Sequence, residues 1–444
     1  MRVIILGGGI GGNAAALSLH AVGITDVDVF ERVPEFHATV GQGINLLPHG
    51  SRELIELGLY EELEKTAIST LRTRYYNRHG QPIWSEPRGI AAGHRWPQFS
   101  VQRGELLRIL HEAVLVRLGS HRFHAGVEVT AVGQDHRRVW ADFTDRSTGQ
   151  PTERQYADVL IAADGARSIT RALLNPDEKP PPWNGHVIYR GNALRERYFD
   201  GRTMTIIGNL TGPDALAVTT YSISRPHHDA SYSMVNWAVY AKLEPDRPAP
   251  PQKWNHAGEI EEAAALVEDW RFDFLDVPAL IRSTTQSIYA YPLVDRDPLP
   301  RWSHGRITLL GDAAHPMYPY GSQGAVQTIV DGRVLAQELA TESDSIAALA
   351  AYDASRRPAT SAVVLANRAA RTDAYCLELA HLRSPHGIDD NLPSPETFAR
   401  HAREYQQLAG YDPRTLSRRT SYGPPHSMSP TDRPFSSWSG GVGR

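Results

Sequence analysis

Two short apolar runs, almost three hundred positions apart, each lead into a glycine-containing turn and then into a helical pattern. The first run, Val3 to Leu6, precedes "GGGIGG" and a segment rich in alanine and leucine from Asn13 to His20. Continuous apolar runs of this length are typical of strands buried on both faces of a parallel sheet. A second strand, "DVDVFE", ends at Glu31. The pattern therefore predicts a strand–helix–strand unit of about thirty residues.

The glycines of the first turn have the spacing G-x-G-x-x-G, at Gly7, Gly9 and Gly12. The first glycine permits a tight bend, the second lets the backbone approach a pyrophosphate, and the third lets the helix pack on the strand. Glu31 stands nineteen residues after Gly12, where an acid can bind ribose hydroxyls. We therefore predict an adenine-dinucleotide site, and Glu31 followed by Arg32 favours FAD or NAD over NADP. A secretory signal is disfavoured, because these glycines would disrupt its helical core.

The second run, Arg306 to Leu310, ends in Gly311 and Asp312. A turn-rich stretch follows, and then a helical pattern whose apolar face comprises Val326, Ile329, Val330, Leu335 and Leu339. This loop lacks the G-x-G-x-x-G spacing, so it is not a second dinucleotide fold. A carboxylate at a strand end can hold polyol hydroxyls, and glycine N–H groups at a helix N-terminus can hold an anionic ring edge. FAD needs both, so we interpret the two loops as binding opposite ends of one FAD.

Between about residues 183 and 292 the pattern changes to alternating or clustered β-formers, in "TMTIIGN", "ALAVTTYSIS" and "SMVNWAVYAK". These segments predict an antiparallel sheet that packs on the flavin domain, with a substrate pocket between the two. Arg190 can position a carboxylate or phenolate there, or simply bridge the two lobes. Four aromatic residues can stack on a flat substrate or belong to the core: Tyr221, Trp237, Tyr289 and Tyr291.

Composition narrows the class of protein without changing this interpretation. The chain has 444 residues, 41% of them hydrophobic, and a formal charge of −4, which gives no reason to expect nucleic-acid or membrane-surface binding. No apolar run reaches the roughly 18 residues that span a bilayer. The single cysteine, Cys376, excludes an internal disulfide, so we expect a cytoplasmic protein, either a monomer or a homodimer.

A metal site is not expected. His227, His228 and Asp229 supply two histidines and a carboxylate, but Pro226 beside them is typical of a solvent-exposed loop. The chain contains neither HExxH nor CxxC, and it lacks the G-x-S-x-G elbow of serine hydrolases.

Three motifs together resemble the single-component, or class A, FAD-dependent aromatic hydroxylases, typified by para-hydroxybenzoate hydroxylase. They are "GGGIGG", "VLIAADGARS" and "GRITLLGDAAHPMYPYGSQG". Further segments are most similar to the branch that contains salicylate hydroxylases and the phenazine-modifying monooxygenase of pyocyanin formation: "GQGINLLPHG", "WSEPRG", "QRGELLRIL", "YPLVDRDPLPRW" and "YDASRRPA". The resemblance runs from residue 1 to about residue 370.

This resemblance implies an α/β fold, with a Rossmann-type FAD-binding domain, an interleaved antiparallel β-sheet substrate domain and a C-terminal helical segment. The implied FAD-binding parts are residues 1–70, 101–182 and 293–375. The implied substrate-domain parts are a short excursion, 71–100, and the main sheet, 183–292. Residues 376–444 form the helical segment and, because proline, serine and charge accumulate there, a weakly ordered tail.

The resemblance also implies roles for individual residues. Glu31 and Arg32 lie at the adenosine ribose, Arg103 reaches the pyrophosphate, and Asp312 holds the ribitol. The Asp-Gly motif, Asp164 and Gly165, lies near the pyrophosphate and supports productive NAD(P)H binding. The backbone at Gln42, Gly43 and Ile44 approaches the flavin ring. The isoalloxazine is lined by Pro319, Gly321, Gly324, Ala325 and Val326.

Two positions depart from the family pattern. Many relatives have asparagine where this chain has Val326, and valine cannot donate a side-chain hydrogen bond. Relatives often have Asn-Ala where this chain has His49 and Gly50. The edge of the flavin-facing loop is therefore expected to be specialised.

The implied reaction uses NADH or NADPH to reduce the flavin and O2 to form a C4a-hydroperoxide. Its distal oxygen is then transferred to an aromatic or heteroaromatic small molecule, with or without decarboxylation. Arg190, Tyr221 and Pro319 are the candidate catalytic residues. A flavin-dependent reductase or dehydrogenase remains an alternative. A halogenase is disfavoured because W-x-W-x-I-P is missing, and a non-enzymatic interaction protein because the flavin-facing loop is intact.

Overall fold

The computed structural model describes most of the chain, namely residues 1–35, 41–181, 183–210, 214–228, 231–243, 256–369 and 393–423. Cys376, Asp229 and the end of the tail, 424–444, lie outside these ranges. Within them, no helix combines the length and apolar character that crossing a bilayer requires.

Strands and helices alternate in the first part of the chain, and long strands dominate the middle. The strands are β1 Val3–Leu6, β2 Val27–Glu31, β3 Gly43–Leu46, β4 Ile68–Thr70, β5 Arg72–Tyr76, β6 Pro82–Pro87, β7 Gln98–Gln102, β8 Phe123–Ala125, β9 Val127–Gln134, β10 Val139–Asp145, β11 Gln155–Ala157, β12 Val159–Ala162, β13 Trp183–Glu196, β14 Thr203–Asn209, β15 Leu216–His228, β16 Tyr232–Lys242, β17 Arg271–Phe272, β18 Leu275–Asp276, β19 Tyr289–Val294, β20 Ser303–His304 and β21 Ile307–Leu309. The α-helices are α1 Ile10–Ala21, α2 Pro48–Glu56, α3 Tyr60–Thr66, α4 Arg103–Leu118, α5 Ile169–Leu174, α6 Ile260–Ala265, α7 Val277–Arg282, α8 Gly324–Thr341, α9 Ser345–Arg368, α10 Pro395–Leu408 and α11 Pro413–Arg418.

A six-stranded sheet in the order β20-β21-β12-β1-β2-β8 carries the predicted dinucleotide unit. Its pairs are parallel, except that β20 runs antiparallel to β21. All four residues of β1 are at most 1% exposed, because the strand has neighbours on both sides and helices over the sheet. The predicted strand at each glycine turn is confirmed, and α1 begins three residues earlier than the sequence suggested.

Helices α1 and α8 pack against each other next to this sheet. The contact is close: a Cβ on Gly332 would lie 3.0 Å from the Ala15 nitrogen. The residues predicted for the apolar face of α8 are at most 5% exposed, namely Val326, Ile329, Val330, Leu335 and Leu339. The helices that follow the two glycine loops are therefore neighbours, as binding of one ligand by both loops requires.

A seven-stranded sheet in the order β19-β13-β16-β15-β14-β5-β6 forms the second lobe. It is antiparallel except for the parallel pair of β14 with β5. Alternate side chains enter two separate cores. Trp237 is fully buried in the core on the α6 and α7 side. Tyr221 lies in the other core, which also contains Tyr318 and Tyr320 from the segment before α8. Trp237, a candidate for substrate stacking, is thus a core residue.

The C-terminal segment packs onto both lobes. Arg52 of α2 donates to the backbone oxygens of Leu416 and Arg419, at 2.9 Å each. The fully buried Glu53 pairs with Arg333 of α8 at 3.2 Å and also with Arg419. The compositional shift after residue 380 suggested weak order in the tail, but residues 393–423 are joined to the core by buried charged and polar groups.

Replacing Glu53 by glutamine removes the carboxylate between Arg333 and Arg419. Breaking a buried ion pair while leaving its partners in place costs about 3 kcal/mol or more. We therefore expect the Glu53→Gln protein to lose about that much free energy of unfolding, measured by urea denaturation at neutral pH.

The matched control is Lys65→Ala, which removes the exposed ion pair with Glu62 on α3. Solvent screens such pairs, so its effect should be much smaller. Equal stability losses in the two variants would contradict the structural role given to Glu53.

Candidate active site

The three sequence motifs meet at one edge of the six-stranded sheet. Strands β1, β12 and β21 are parallel neighbours, so their carboxyl ends lie side by side. The Ala163 nitrogen donates to the Leu6 oxygen at 2.8 Å, and the Leu310 nitrogen to the Ala162 oxygen at 2.9 Å. The residues just beyond these strands therefore surround one cleft, where ligands of open parallel sheets bind.

The first glycine loop has the steric requirements that its spacing predicts. Gly7 has φ of 100°, and a Cβ there would overlap the Ala163 carbonyl. A Cβ on Gly12 would overlap the Gly7 oxygen, so α1 can approach β1 only with glycine at this position. Gly9, at the N-terminus of α1, has open space on its Cβ side. The loop therefore presents a helix N-terminus to a free volume that suits a pyrophosphate.

Glu31 closes the end of β2 beside this loop. Its carboxylate accepts hydrogen bonds from the Gly8 nitrogen at 2.7 Å and the Val33 nitrogen at 2.8 Å. Arg32 turns toward Glu128, with 4.0 Å between the charged atoms. The backbone thus fixes the glutamate where the ribose of the adenosine is expected.

Asp312 and Arg103 lie together deeper in the cleft. The Asp312 side chain is accessible, but protein surrounds it, and burial raises its pKa above the usual range while His315 and Arg103 act in the opposite direction. Burial lowers the pKa of Arg103, whereas Asp312 and Tyr291 raise it. An accessible carboxylate in so enclosed a place indicates an internal cavity with polar walls.

The cleft fits FAD by its shape and by its polar groups. A Cβ on Gly9, Gly165 or Gly324 would meet no atom within 4 Å, so each of the three loops has open space beside it. Asp164 has a buried Oδ1 without a hydrogen-bond partner, and burial raises its pKa. Donors at the helix N-termini and acceptors at Asp312 match a pyrophosphate and a polyol chain, respectively.

The flavin-facing loop, residues 319–324, has a strained backbone. Gly321 has φ of 67°, and Ser322, which has a Cβ, has φ of 57°. Non-glycine residues adopt such angles at a cost, and these angles persist where the surroundings hold them. Helix α8 begins directly afterwards at Gly324, so its N-terminus faces the same space.

Buried hydrogen bonds support this loop from α8 and α9. Asp331 accepts from Arg356 at 2.7 Å and contacts the His315 Nε2 at 2.5 Å. Burial would raise the pKa of Asp331, but His315 and Arg356 hold it below its usual range. Arg356 also donates to Gln327 at 2.6 Å, and Gln327 donates to Gln323 at 2.9 Å.

His49 connects the same network to the C-terminal segment. Its Nε2 lies 3.2 Å from the Gln323 Oε1, and its ring stacks on Tyr411 at 4.8 Å. Burial lowers the pKa of His49 to about 3, so the ring is neutral at physiological pH. Gln327 also donates to the Ala409 oxygen at 3.2 Å. The loop and the residues after α10 are therefore parts of one hydrogen-bonded unit.

The two departures from the family pattern lie in contact. Val326 is fully buried, and a Cβ on Gly50 would come within 2.9 Å of its side chain. The absence of a Cβ at Gly50 thus makes room for the valine. The Val326 side chain packs under the loop, so its part in flavin binding is restricted to its backbone.

Arg190 and Tyr221 both contact Gly43. The Gly43 oxygen accepts from Arg190 at 2.5 Å and from the Tyr221 hydroxyl at 2.8 Å, and the Gly43 nitrogen donates to Asn236 at 2.7 Å. Burial raises the pKa of Tyr221, which keeps its hydroxyl protonated as a donor. These contacts give both side chains a positioning role behind the 42–44 segment, and their catalytic role stays a prediction.

A pocket adjoins the flavin-facing loop at Gly321 and Ser322. It lies between the seven-stranded sheet, the loop and the C-terminal helix. Its described lining residues are Leu47, Tyr75, Trp84, Glu86, Arg88, Gln98, Met204, Gly321, Ser322, Phe398, His401, Ala402, Tyr405 and Tyr411. Aromatic and aliphatic walls with a few polar groups are typical of small-molecule sites.

The polar wall of this pocket is an ion pair on β6 and the turn after it. Arg88 lies 2.6 Å from Glu86 and donates to the Tyr75 hydroxyl at 3.0 Å and to Thr73 at 3.0 Å. The neighbouring His94 has a pKa lowered to about 4 by burial and by Arg88. The segment "WSEPRG" carries part of the family resemblance, but its residues Trp84, Glu86 and Arg88 were not among the site residues predicted from the sequence.

The remaining candidates from the sequence do not line the pocket. Tyr289 and Tyr291 stack on each other at 6.2 Å, and Tyr291 lies near Arg103 and Arg190. His227 and His228 contact Ser224 and Ser233 through their Nδ1 atoms. Within the described ranges, no three metal-binding side chains come together.

Comparison with known proteins identifies the family to which this chain is similar. The family described as FAD binding domain matches residues 1–181 and 261–367. A phenazine 1,6-dicarboxylic acid hydroxylase of Lysobacter antibioticus is 39% identical over 366 residues, covering 82% of this chain and 89% of that protein. A 3-amino-4-hydroxybenzoate 2-monooxygenase of Streptomyces platensis is 35% identical over 362 residues, covering 80% and 84%.

The fold agrees as well. The structure of a salicylate hydroxylase substrate complex superimposes with a TM-score of 0.70 at 22% identity, covering 96% of this chain and 99% of that one. The resemblance read from the three motifs is confirmed, and so is the α/β fold with its Rossmann-type domain. The chain belongs to the FAD binding domain family, as one of its class A, FAD-dependent aromatic hydroxylases.

Proposed function

We propose that the protein uses NAD(P)H and O2 to hydroxylate an aromatic or heteroaromatic compound bound in the pocket beside the flavin-facing loop. One observation carries this assignment: Gly321 and Ser322 of the flavin-facing loop also line the pocket. A ring bound in the pocket would therefore lie against the loop that is expected to face the flavin. The single cysteine agrees with a reducing, cytoplasmic location.

Bound FAD supplies oxygen activation and transfer, and the chain's own residues bind, orient and exclude water. Asp312 would accept hydrogen bonds from ribityl hydroxyls, and Arg103 beside it would hold the negative charge of the cofactor. The N-terminus of α8 would stabilise negative charge on the edge of the flavin ring. Arg190 and Tyr221 donate to the Gly43 carbonyl and so fix the 42–44 backbone, which would contact the ring.

The pocket walls orient the substrate. Trp84, which stacks on Phe398, contributes an aromatic side chain to the wall, and a substrate ring can pack against it. Glu86 and Arg88 offer an acceptor and a donor side by side, and these fix a polar substituent. The aromatic lining also limits water, which would otherwise divert activated oxygen into hydrogen peroxide.

The decisive measurement is NADH and NADPH oxidation by the FAD-loaded protein, with and without aromatic compounds. The panel comprises 3-hydroxybenzoate, 3-amino-4-hydroxybenzoate, 6-hydroxynicotinate and phenazine-1-carboxylate. We expect at least one compound to accelerate oxidation by about 10-fold or more, with little peroxide and a product heavier by one oxygen atom. Loss of CO2 from that product would show coupled decarboxylation.

The same assay under argon separates oxygenation from reduction. Acceleration that persists without O2, with reduced substrate as product, would indicate a reductase instead. Oxidation that no compound accelerates would count against the proposed pocket function.

Replacing Asp312 by alanine tests the cofactor site separately. A hydrogen bond to a charged group contributes about 1.5–3 kcal/mol, so FAD affinity should fall roughly 10- to 100-fold. Flavin absorbance after desalting and a fluorescence titration of the apoprotein measure this change. Asp297→Ala serves as the control, because that carboxylate is 83% exposed and pairs with Arg368 at the surface. A fully flavinated Asp312→Ala protein with unchanged affinity would refute the assignment.

A further inference from the structure

One wall of the pocket comes from the C-terminal helix α10. Phe398, His401, Ala402 and Tyr405 line the pocket, and Tyr411 follows the helix. Their spacing of three and four residues places the first four on one helical face. The family match ends at residue 367. This wall therefore lies beyond the part of the chain that carries the FAD site.

The helix extends an aromatic stack that begins on the sheet. Tyr75 stacks on Trp84 at 5.5 Å and 20°, and Trp84 stacks on Phe398 at 5.6 Å and 19°. The three near-parallel rings form one buried stack that joins β5 to α10. Because this stack fixes Phe398, the neighbouring lining residues His401 and Ala402 set how far the pocket extends toward α10.

The helix is fixed in place. The Tyr405 hydroxyl donates to Asn367 of α9 at 2.9 Å, and Ser394 caps the first turn. Gln406 reaches Glu86 at 3.5 Å on the opposite wall. Because α10 is attached to α9 and lies against the sheet, the distance between the pocket walls is defined by packing.

We propose that α10 is the specificity-determining wall of the pocket, and that His401 and Ala402 set how large a planar aromatic ring system it accepts. This inference rests on the proposed function, since it concerns the same pocket. Ala402 is small and half-buried, so a larger side chain there fills pocket space. His401 is 34% exposed and lies 3.4 Å from Glu404, so its truncation opens the pocket without emptying the core.

The test compares ligands of two sizes and equal charge, 3-hydroxybenzoate with one ring and phenazine-1-carboxylate with three. Their Kd values are measured by titration of the FAD-loaded protein, followed through the flavin absorbance. Ala402→Leu should weaken binding of the three-ring ligand about 10-fold more than binding of the one-ring ligand, because overpacking penalises the larger occupant. His401→Ala should shift the ratio of the two Kd values about 3-fold in the opposite direction.

The matched control is Gln407→Ala, an exposed position on the same helix that does not line the pocket. All variants should retain full FAD content and the wild-type Tm. If the ratio of the two Kd values is unchanged in both pocket variants, the proposal that α10 determines specificity is wrong.

The possible results distinguish between failure of the proposed function and failure of the proposed role of α10. Wild-type protein that binds the probes but is not stimulated to oxidise NAD(P)H would contradict the proposed function, while the Kd ratios would still decide the role of α10. Stimulated wild-type protein with unchanged ratios in the variants would contradict the role of α10 alone. Wild-type protein that binds neither ring size would overturn both.

Discussion

Parallel pairing of β1 with β12, and of β12 with β21, determines where the cofactor residues lie. These strands come from positions near 5, 160 and 308, so the sheet joins segments that are far apart in the chain. Because parallel strands end at the same edge, the glycine loop, the Asp-Gly motif and Asp312 necessarily surround one cleft. The backbone thus brings a helix N-terminus and a carboxylate to the same cleft.

Around that cleft, hydrogen bonds between buried polar groups hold a loop in a conformation that apolar packing alone would not fix. The loop at 319–324 carries two residues with positive φ, and a network through Gln323, Gln327, Arg356 and Asp331 holds it. The network is not complete, because the buried Gln323 Nε2 and His49 Nδ1 have no hydrogen-bond partner. Burial keeps His49 neutral by lowering its pKa, and the charges of Arg419 and Arg356 act in the same direction. Because His49 also stacks on Tyr411, the conformation of the loop is coupled to the packing of the C-terminal part of the chain.

The sequence predicted those parts of the fold that depend on local pattern. Apolar runs identified β1 and β21, and the β-former clusters from 203 to 242 became β14, β15 and β16. The contact of Arg190 and Tyr221 with Gly43 was not predictable, because it joins residues 147 and 178 positions apart through a backbone oxygen. A helical segment within 376–444 was expected from the family resemblance, but the bounds of its helices were not predicted, although Ser394 followed by Pro395 indicates a helix start.

The position of helix α10 in the pocket wall has an evolutionary consequence. The loops that surround the flavin cleft also build the core of the six-stranded sheet, so substitutions there endanger folding and cofactor retention together. Helix α10 shares Tyr405 with that core, but its pocket-lining residues His401 and Ala402 are only partly buried. Under the proposed role of α10, substitutions at these two positions change the accepted aromatic ring system while the cofactor cleft, and with it the redox chemistry, stays the same.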